Sequence, residues 1–302
     1  MDYDDVANLY LKPLAEPIAE PEVPDAPARR LRDALEPIAT QGWWSRQVND
    51  RLQALGLGFF DGYVWGRAAS LGEAASSVVV AAFGVFEPQF LSAVYEQGRA
   101  AARRDEVLEA RAQGAAASVA AVLGSDRLDE VAAVADALLA AVGELDGCAR
   151  PLFSGLRDLP VPADAFGRLW RAAELIREHR GDGHLAACVA AGLDRVTMSV
   201  LTELWLGYPL GAYTSTRGHG PDAIEKARHG LAERGWVDGV ALTPVGQAAR
   251  DAVESATEAS QAELVRLLGD RLDSIVAVTA GWSLEFVAAS AFPPDPRKRA
   301  AG

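Results

Sequence analysis

Across its 302 residues the chain has two cysteines, two methionines and four histidines. Cys148 and Cys188 lie far apart and are too few for a disulfide-stapled fold; buried thiols in a reducing compartment are the expectation. Bases are scarce relative to acids: 29 Lys and Arg stand against 42 Asp and Glu, for a formal net charge of −13. Such a surface repels phosphate backbones at long range and argues against strong non-specific nucleic-acid binding, although it leaves room for a local basic patch. Long apolar runs are missing as well. The most apolar stretch, Val78 to Phe86, is too short to span a bilayer, and Met1 is followed by DYDD rather than by basic residues and an apolar core. No membrane partner is expected, and a cytoplasmic location is. There is no phosphate-cradling glycine loop, no G-x-S-x-G elbow and no convincing metal-ligand spacing. Gly56-Leu57-Gly58 lacks the strand context of a dinucleotide site. No cofactor is implied.

What the chain has in quantity is apolar and helix-forming. Half its residues are hydrophobic, and the wording is Ala-rich and poor in β-branched residues, which favours helices. Its length suits two domains of ordinary size. A repeat points the same way. VLGSDRLDEVAAV (from Val122) pairs with LLGDRLDSIVAV (from Leu267), and RLRDALEPI (from Arg30) with RLWRAAELI (from Arg168). ALGLGFFDGYVWGRA (from Ala54) meets AAGLDRVTMSVLTEL (from Ala190), PQFLSAVYEQG (from Pro88) meets EKARHGLAERG (from Glu225), and VLEARAQGAA (from Val107) meets ALTPVGQAAR (from Ala241). Order is kept, and the offset drifts only from 134 (Val107 to Ala241) to 144 (Asp126 to Asp270). The expectation is an all-α fold with a minimal β wing, built as two tandem winged-helix-like copies that form a pseudo-dimer.

The boundaries follow from composition. Residues 1–28 form an acidic, Pro-rich arm, expected to be extended or disordered because its prolines forbid a continuous helix; Leu9, Tyr10, Leu11 and Leu14 are its candidates for packing on the body. The first, degenerate copy occupies 29–147, a Pro-containing linker 148–163, and the second copy 164–292. The tail, 293–302, is expected to be disordered, with Arg297, Lys298 and Arg299 solvated.

The sharpest local signature is GPDAIEKARHGLAERGWVDGVALTPVGQAAR, from Gly220. A helix ends at Gly235, Trp236 and Val237 start a strand, and Asp238-Gly239 between apolar neighbours predicts a type I′ hairpin turn. Thr243 then caps a helix with Pro244 at its first position. LAERGWVDG…LTPVGQ resembles the recognition helix, wing and following helix of MarR-type winged-helix proteins. The chain after the arm also resembles a largely uncharacterised actinobacterial family with divergent helix-turn-helix domains. GLGFFDGYVWGRAASLG, FGVFEPQF and REHRGDGHLAACVAAGLD carry that second resemblance, which implies an all-helical winged-helix fold and supplies no activity or catalytic residues.

As a DNA reader the segment is poorly charged. Between Ser215 and Asp238 four bases (Arg217, Lys226, Arg228, Arg234) face four acids (Asp222, Glu225, Glu233, Asp238), and the wing tip is acidic where DNA readers of this kind place Arg or Lys. Arg217, Lys226, Arg228 and His229 remain the candidate contacts if DNA is bound.

Copy one instead concentrates aromatics. Phe59 and Tyr63 share a helix face, and Phe86 and Phe90 share another by their spacing of four. Adjacent Trp43 and Trp44 cannot both face one core, so one of them is expected to look into a pocket or interface. Arg67 lies in an apolar stretch, where it needs a carboxylate such as Glu73 or Asp61, or a ligand acid. In REHRGDGH, Asp182-Gly183 reads as a turn across which His179 and His184 meet. The expected ligand is a small, largely apolar or aromatic organic molecule held by Trp43, Trp44, Phe59, Tyr63, Arg67, Phe86, His179 and His184, in a sensor or binding protein. A DNA-binding regulator is one alternative, and a cofactor-free enzyme using His179 and His184 for general acid–base work is another.

Overall fold

The structure is a computed structural model that describes residues 2–301; Met1, in the arm, and Gly302, in the tail, lie outside it. Helices dominate, and the described residues contain one two-stranded sheet. The first half runs through α1 (Tyr3–Tyr10), α2 (Pro27–Ala39), α3 (Gln41–Trp44), α4 (Arg46–Ala54), α5 (Phe59–Ala68), α6 (Ser76–Phe83), α7 (Pro88–Ala101), α8 (Arg104–Leu123) and α9 (Leu128–Gly143). After α10 (Pro151–Arg157) the second half follows with α11 (Ala165–Ala190), α12 (Arg195–Trp205), α13 (Pro221–Glu233), strands β1 (Val237–Asp238) and β2 (Ala241–Leu242), α14 (Pro244–Ala259), α15 (Ala262–Leu268) and α16 (Leu272–Ala288). A last short helix, α17 (Pro296–Ala301), closes the chain.

Side-chain caps set several helix starts. Asp164 accepts from the Gly167 N–H at α11, Asp194 from Thr197 at α12, and Thr243 from Gly246 at α14, each satisfying one of the orphan donors of a first turn. The hairpin pairs Val237 with Leu242 and Asp238 with Ala241, so its two turn residues are Gly239 and Val240, one position later than the sequence suggests. Gly239 has φ +60 whereas Val240 is not left-handed. That is the requirement of a type II′ turn, with glycine first, rather than type I′, which needs both residues at positive φ. Gly246 lets α14 start against this hairpin: a Cβ there would lie 1.9 Å from the Trp236 carbonyl oxygen.

The main core runs through both halves, from Leu31, Leu35 and Ile38 of α2 to Trp282 and Phe286 of α16, with Trp65 and Trp170 fully buried. α2 packs on α11; α9 lies along α11, and α16 along α2. A separate cluster, including Leu201, Ile224, Leu231 and Val237, holds α12, α13 and the hairpin together.

Four expectations are corrected. The arm contains α1, started by a reciprocal Asp2–Asp5 capping box, and Val6 and Leu11 are buried while Leu9 and Leu14 are exposed. The linker carries α10, whose Leu152, Phe153 and Leu156 are buried in the core. Asp182-Gly183 is no turn: α11 runs unbroken through REHRGDGH, because neighbouring helices support it on most sides and outweigh the weak helix propensity of its glycines. The tail is ordered as α17 because buried arginines of α2 hold its carbonyls: Arg29 Nη2 donates to Ala300 O at 2.9 Å, and Arg32 Nη1 to Arg299 O. Arg299 also binds Glu20 of the arm at 2.8 Å. Among the described residues, no single helix is long and apolar enough to cross a membrane.

Candidate functional site

Two adjoining compartments lie between the halves, of about 140 and 130 Å3, and both are lined by Tyr63, Phe86, Arg177, Tyr213, Arg217 and Ala301. An apolar cavity of about 150 Å3 holds a benzene molecule, so each compartment has room for roughly one ring.

The first compartment has an aromatic wall. Trp43 and Trp44 come from α3, Phe59, Phe60 and Tyr63 from α5, and Phe86 from the bend between α6 and α7. Both tryptophans reach it. Trp43 is 7% exposed and meets Tyr63 edge-on at 5.4 Å, while the half-buried Trp44 lies 6.1 Å from Phe59 and edge-on to Tyr10. They share the cavity because four-residue α3 ends at Ser45, whose extended backbone leads into α4. Phe86 precedes α7, so it does not share a helix face with Phe90; it packs instead on Tyr63 and Phe83. Opposite the aromatics stand Glu36, Arg177, Arg217 and, from α17, Lys298.

The second compartment has an ionic wall. Arg67 finds neither Glu73 nor Asp61 but Glu178 of α11, by two parallel bonds, Nε to Oε1 at 3.1 Å and Nη2 to Oε2 at 2.8 Å, with a third to the Tyr63 hydroxyl at 3.0 Å. Burial alone would lower the Arg67 guanidinium; Glu178 and Tyr63 outweigh it and leave it raised. Burial would likewise raise the Glu178 carboxyl, but Arg67 and Arg177 hold it below its ordinary value. Arg177 bridges Glu178 and Glu36, and Arg180 bridges Glu254 and Glu258. Asp182 accepts the Phe153 N–H at 3.0 Å, and burial pushes its carboxyl up to about 7. Together with Ala82 and Leu185, Asp182 also lines a broader outer groove of about 640 Å3 between α6, α11 and α12.

The two α11 histidines do not meet. Five helical residues apart, they project about 140° from one another. His184 lines the second compartment, with Nδ1 3.0 Å from the Thr257 hydroxyl and Nε2 3.5 Å from Cys188 Sγ. His179 lies outside both compartments, with Nδ1 2.8 Å from Gln261 Oε1 and its ring edge-on to Phe153. Burial pulls His179 to about 4, and burial with Arg250 pulls His184 to about 3. Burial raises the Cys188 thiol to about 11, which is the reverse of an activated thiolate.

Of the candidate DNA contacts, Arg217 faces the cavity. Arg228 is held by Glu225 and donates to the Gly239 carbonyl at 3.0 Å. Lys226 and His229 are exposed on α13. The cavity residues that sequence reasoning missed are Phe60, Glu36, Tyr213 and Lys298. Phe60 carried a signal as part of the aromatic concentration of copy one, and Lys298 as part of a basic cluster within the tail.

Helices α12 and α13, followed by the short hairpin and α14, define a helix-turn-helix protein with a minimal wing. The sequence profile of a helix-turn-helix family matches residues 28–293, and the chain belongs to that family. No curated protein and no solved structure matches it.

Proposed function

We propose that this protein binds a small, flat, largely apolar organic molecule between its two halves, as a ligand sensor or binding protein. The observation that carries the reading is the cavity itself: aromatic rings form one wall, fixed ion pairs another, and the space between them fits a ring. The outer groove, which shares Ala82, Asp182 and Leu185 with the second compartment, supplies a route in. The test is native mass spectrometry on protein purified from its own host, with Trp emission followed in parallel. The expected result is a co-purifying mass that quenches emission, with both effects lost in Trp44→Ala and Phe86→Ala. A clean apo mass, with no quenching across a metabolite extract, would overturn the reading.

We further infer that the chain is a tandem duplication folded as a pseudo-dimer. Reciprocal packing supports this: the last long helix of each half, α9 or α16, lies along the first long helix of the other, α11 or α2, and α2 and α11 touch each other. A ligand between the halves is then placed to change the angle at which they meet.

A DNA-binding regulator of MarR type is the second reading, favoured by the family and by the hairpin that follows α13. Its charge is the difficulty. The exposed face of α13 offers Asp222, Lys226, His229 and Glu233, while Arg217 and Arg250 are turned inward. Fluorescence anisotropy on duplex DNA at low salt decides: affinity that falls steeply with salt would favour this reading.

A further inference from the structure

We propose that the molecule held in this cavity is an organic acid, with its planar body on the aromatic wall and its carboxylate or phosphate group between Arg217 and Lys298. The inference rests on the cavity reading above and adds the charge of the ligand.

Every other cation facing the compartments has a carboxylate of its own. Arg67 has Glu178, Arg177 has Glu36 and Glu178, Arg180 has Glu254 and Glu258, and Arg32 has Asp33 and Glu36. Arg217 and Lys298 are the exceptions. The Arg217 guanidinium lies over the Tyr213 ring at 3.7 Å, with Nη1 donating to the Thr216 hydroxyl, and its Nε is buried without a hydrogen-bond partner. Half-buried Lys298 points its ammonium at the Tyr10 ring, 4.6 Å from the centroid, and makes no side-chain hydrogen bond or ion pair among the described residues. Asp295, the nearest acid in sequence, is taken by the Arg297 fork at 2.9 Å. Burial and the neighbouring Arg217 charge together pull the Lys298 ammonium down to about 8.

Two like charges that line one compartment, neither with an ion-pair partner of its own, are unfavourable unless something compensates them. A ligand anion does so in the space both residues line. The guanidinium presents a planar, delocalised charge and the ammonium a rotatable point charge, a combination suited to an acid group. Arg217 comes from the turn just before α13 and Lys298 from α17, so the acid would tie the helix-turn-helix to the chain's last helix.

The test is isothermal titration calorimetry at pH 7 with benzoate, phenyl phosphate and benzamide, on the wild type and on Arg217→Gln/Lys298→Met. At least one of the two acids should bind the wild type ten-fold or more tighter than the neutral amide, and the tighter acid identifies carboxylate or phosphate as the group. In the double variant the preference for acid over amide should collapse to near one. A second readout needs no ligand: Lys298→Met alone should raise the thermal midpoint, since it removes an uncompensated charge, whereas a fall would mark a structural cation and count against the proposal. Equal binding of acids and amide by the wild type would overturn the proposal and leave the cavity reading intact. Binding of none of the three, in protein that also purifies with a clean apo mass, would overturn both.

Discussion

Glu178→Leu should be among the most costly single changes in this protein. The carboxylate is 6% exposed and its partner, Arg67, 10%. Removing it leaves the Arg67 guanidinium with the Tyr63 hydroxyl at 3.0 Å and the face of Phe83 at 4.6 Å, neither of which carries a compensating charge. Stranding one member of a buried ion pair costs about 3–5 kcal/mol. At about 2 °C per kcal/mol for a chain of this length, the thermal midpoint should fall by about 6–10 °C. Urea denaturation followed by circular dichroism and by Trp emission measures the free energy, and coincident curves establish that one transition is being read. The informative comparison is Arg67→Met/Glu178→Leu. With both charges gone the site becomes apolar, and Arg177 keeps Glu36, so most of the loss should return. A single variant within about 1 kcal/mol of wild type, or a double variant less stable than the single, would refute the account of this pair as a buried, mutually dependent unit.

Two further outcomes follow from local geometry. Gly246→Ala places a Cβ against the Trp236 backbone, which cannot move without shifting the hairpin; a loss of about 3 kcal/mol is expected in the same urea assay, with amide exchange accelerating first across residues 237–242. The second concerns pH. His184 is held near 3 and is neutral in the folded protein, so the unfolded chain binds the extra proton between that value and about 6.5. Its contribution is therefore complete above about 6.5 and is lost as pH falls toward the folded value. His184→Gln should flatten the decline in urea stability between pH 6.5 and 4, by at most about 1.4 kcal/mol per pH unit; an unchanged slope would show that His184 does not titrate on unfolding.

Much of the fold was legible because its signals are local. The cap at Thr243, the Asp-Gly before Val240, and the shared helix face of Phe59 and Tyr63 on α5 each act within a few residues, and the aromatic wall announced itself by composition. What was not legible depends on partners distant in sequence. Arg67 was seen to need an acid, but the one it takes is 111 positions away. The turn expected at Asp182-Gly183 failed because tertiary packing overrode a weak local preference. Prolines and bases in the tail signalled disorder, yet Arg29 and Arg32, more than 260 positions earlier, capture its carbonyls. Arg217 resembled a phosphate contact because its charge, and not its direction, was visible.

The cavity wall joins Tyr10 of the arm to Lys298 and Ala301 of α17, elements far apart in sequence. During synthesis the other wall residues are made before the α17 segment leaves the ribosome, so the pocket cannot close until that segment has emerged. A truncated chain lacking that segment would keep most of the helix-turn-helix and lose the pocket's closing wall. Occupancy of the cavity would therefore report that the α17 segment has been made and docked against the arm and α2.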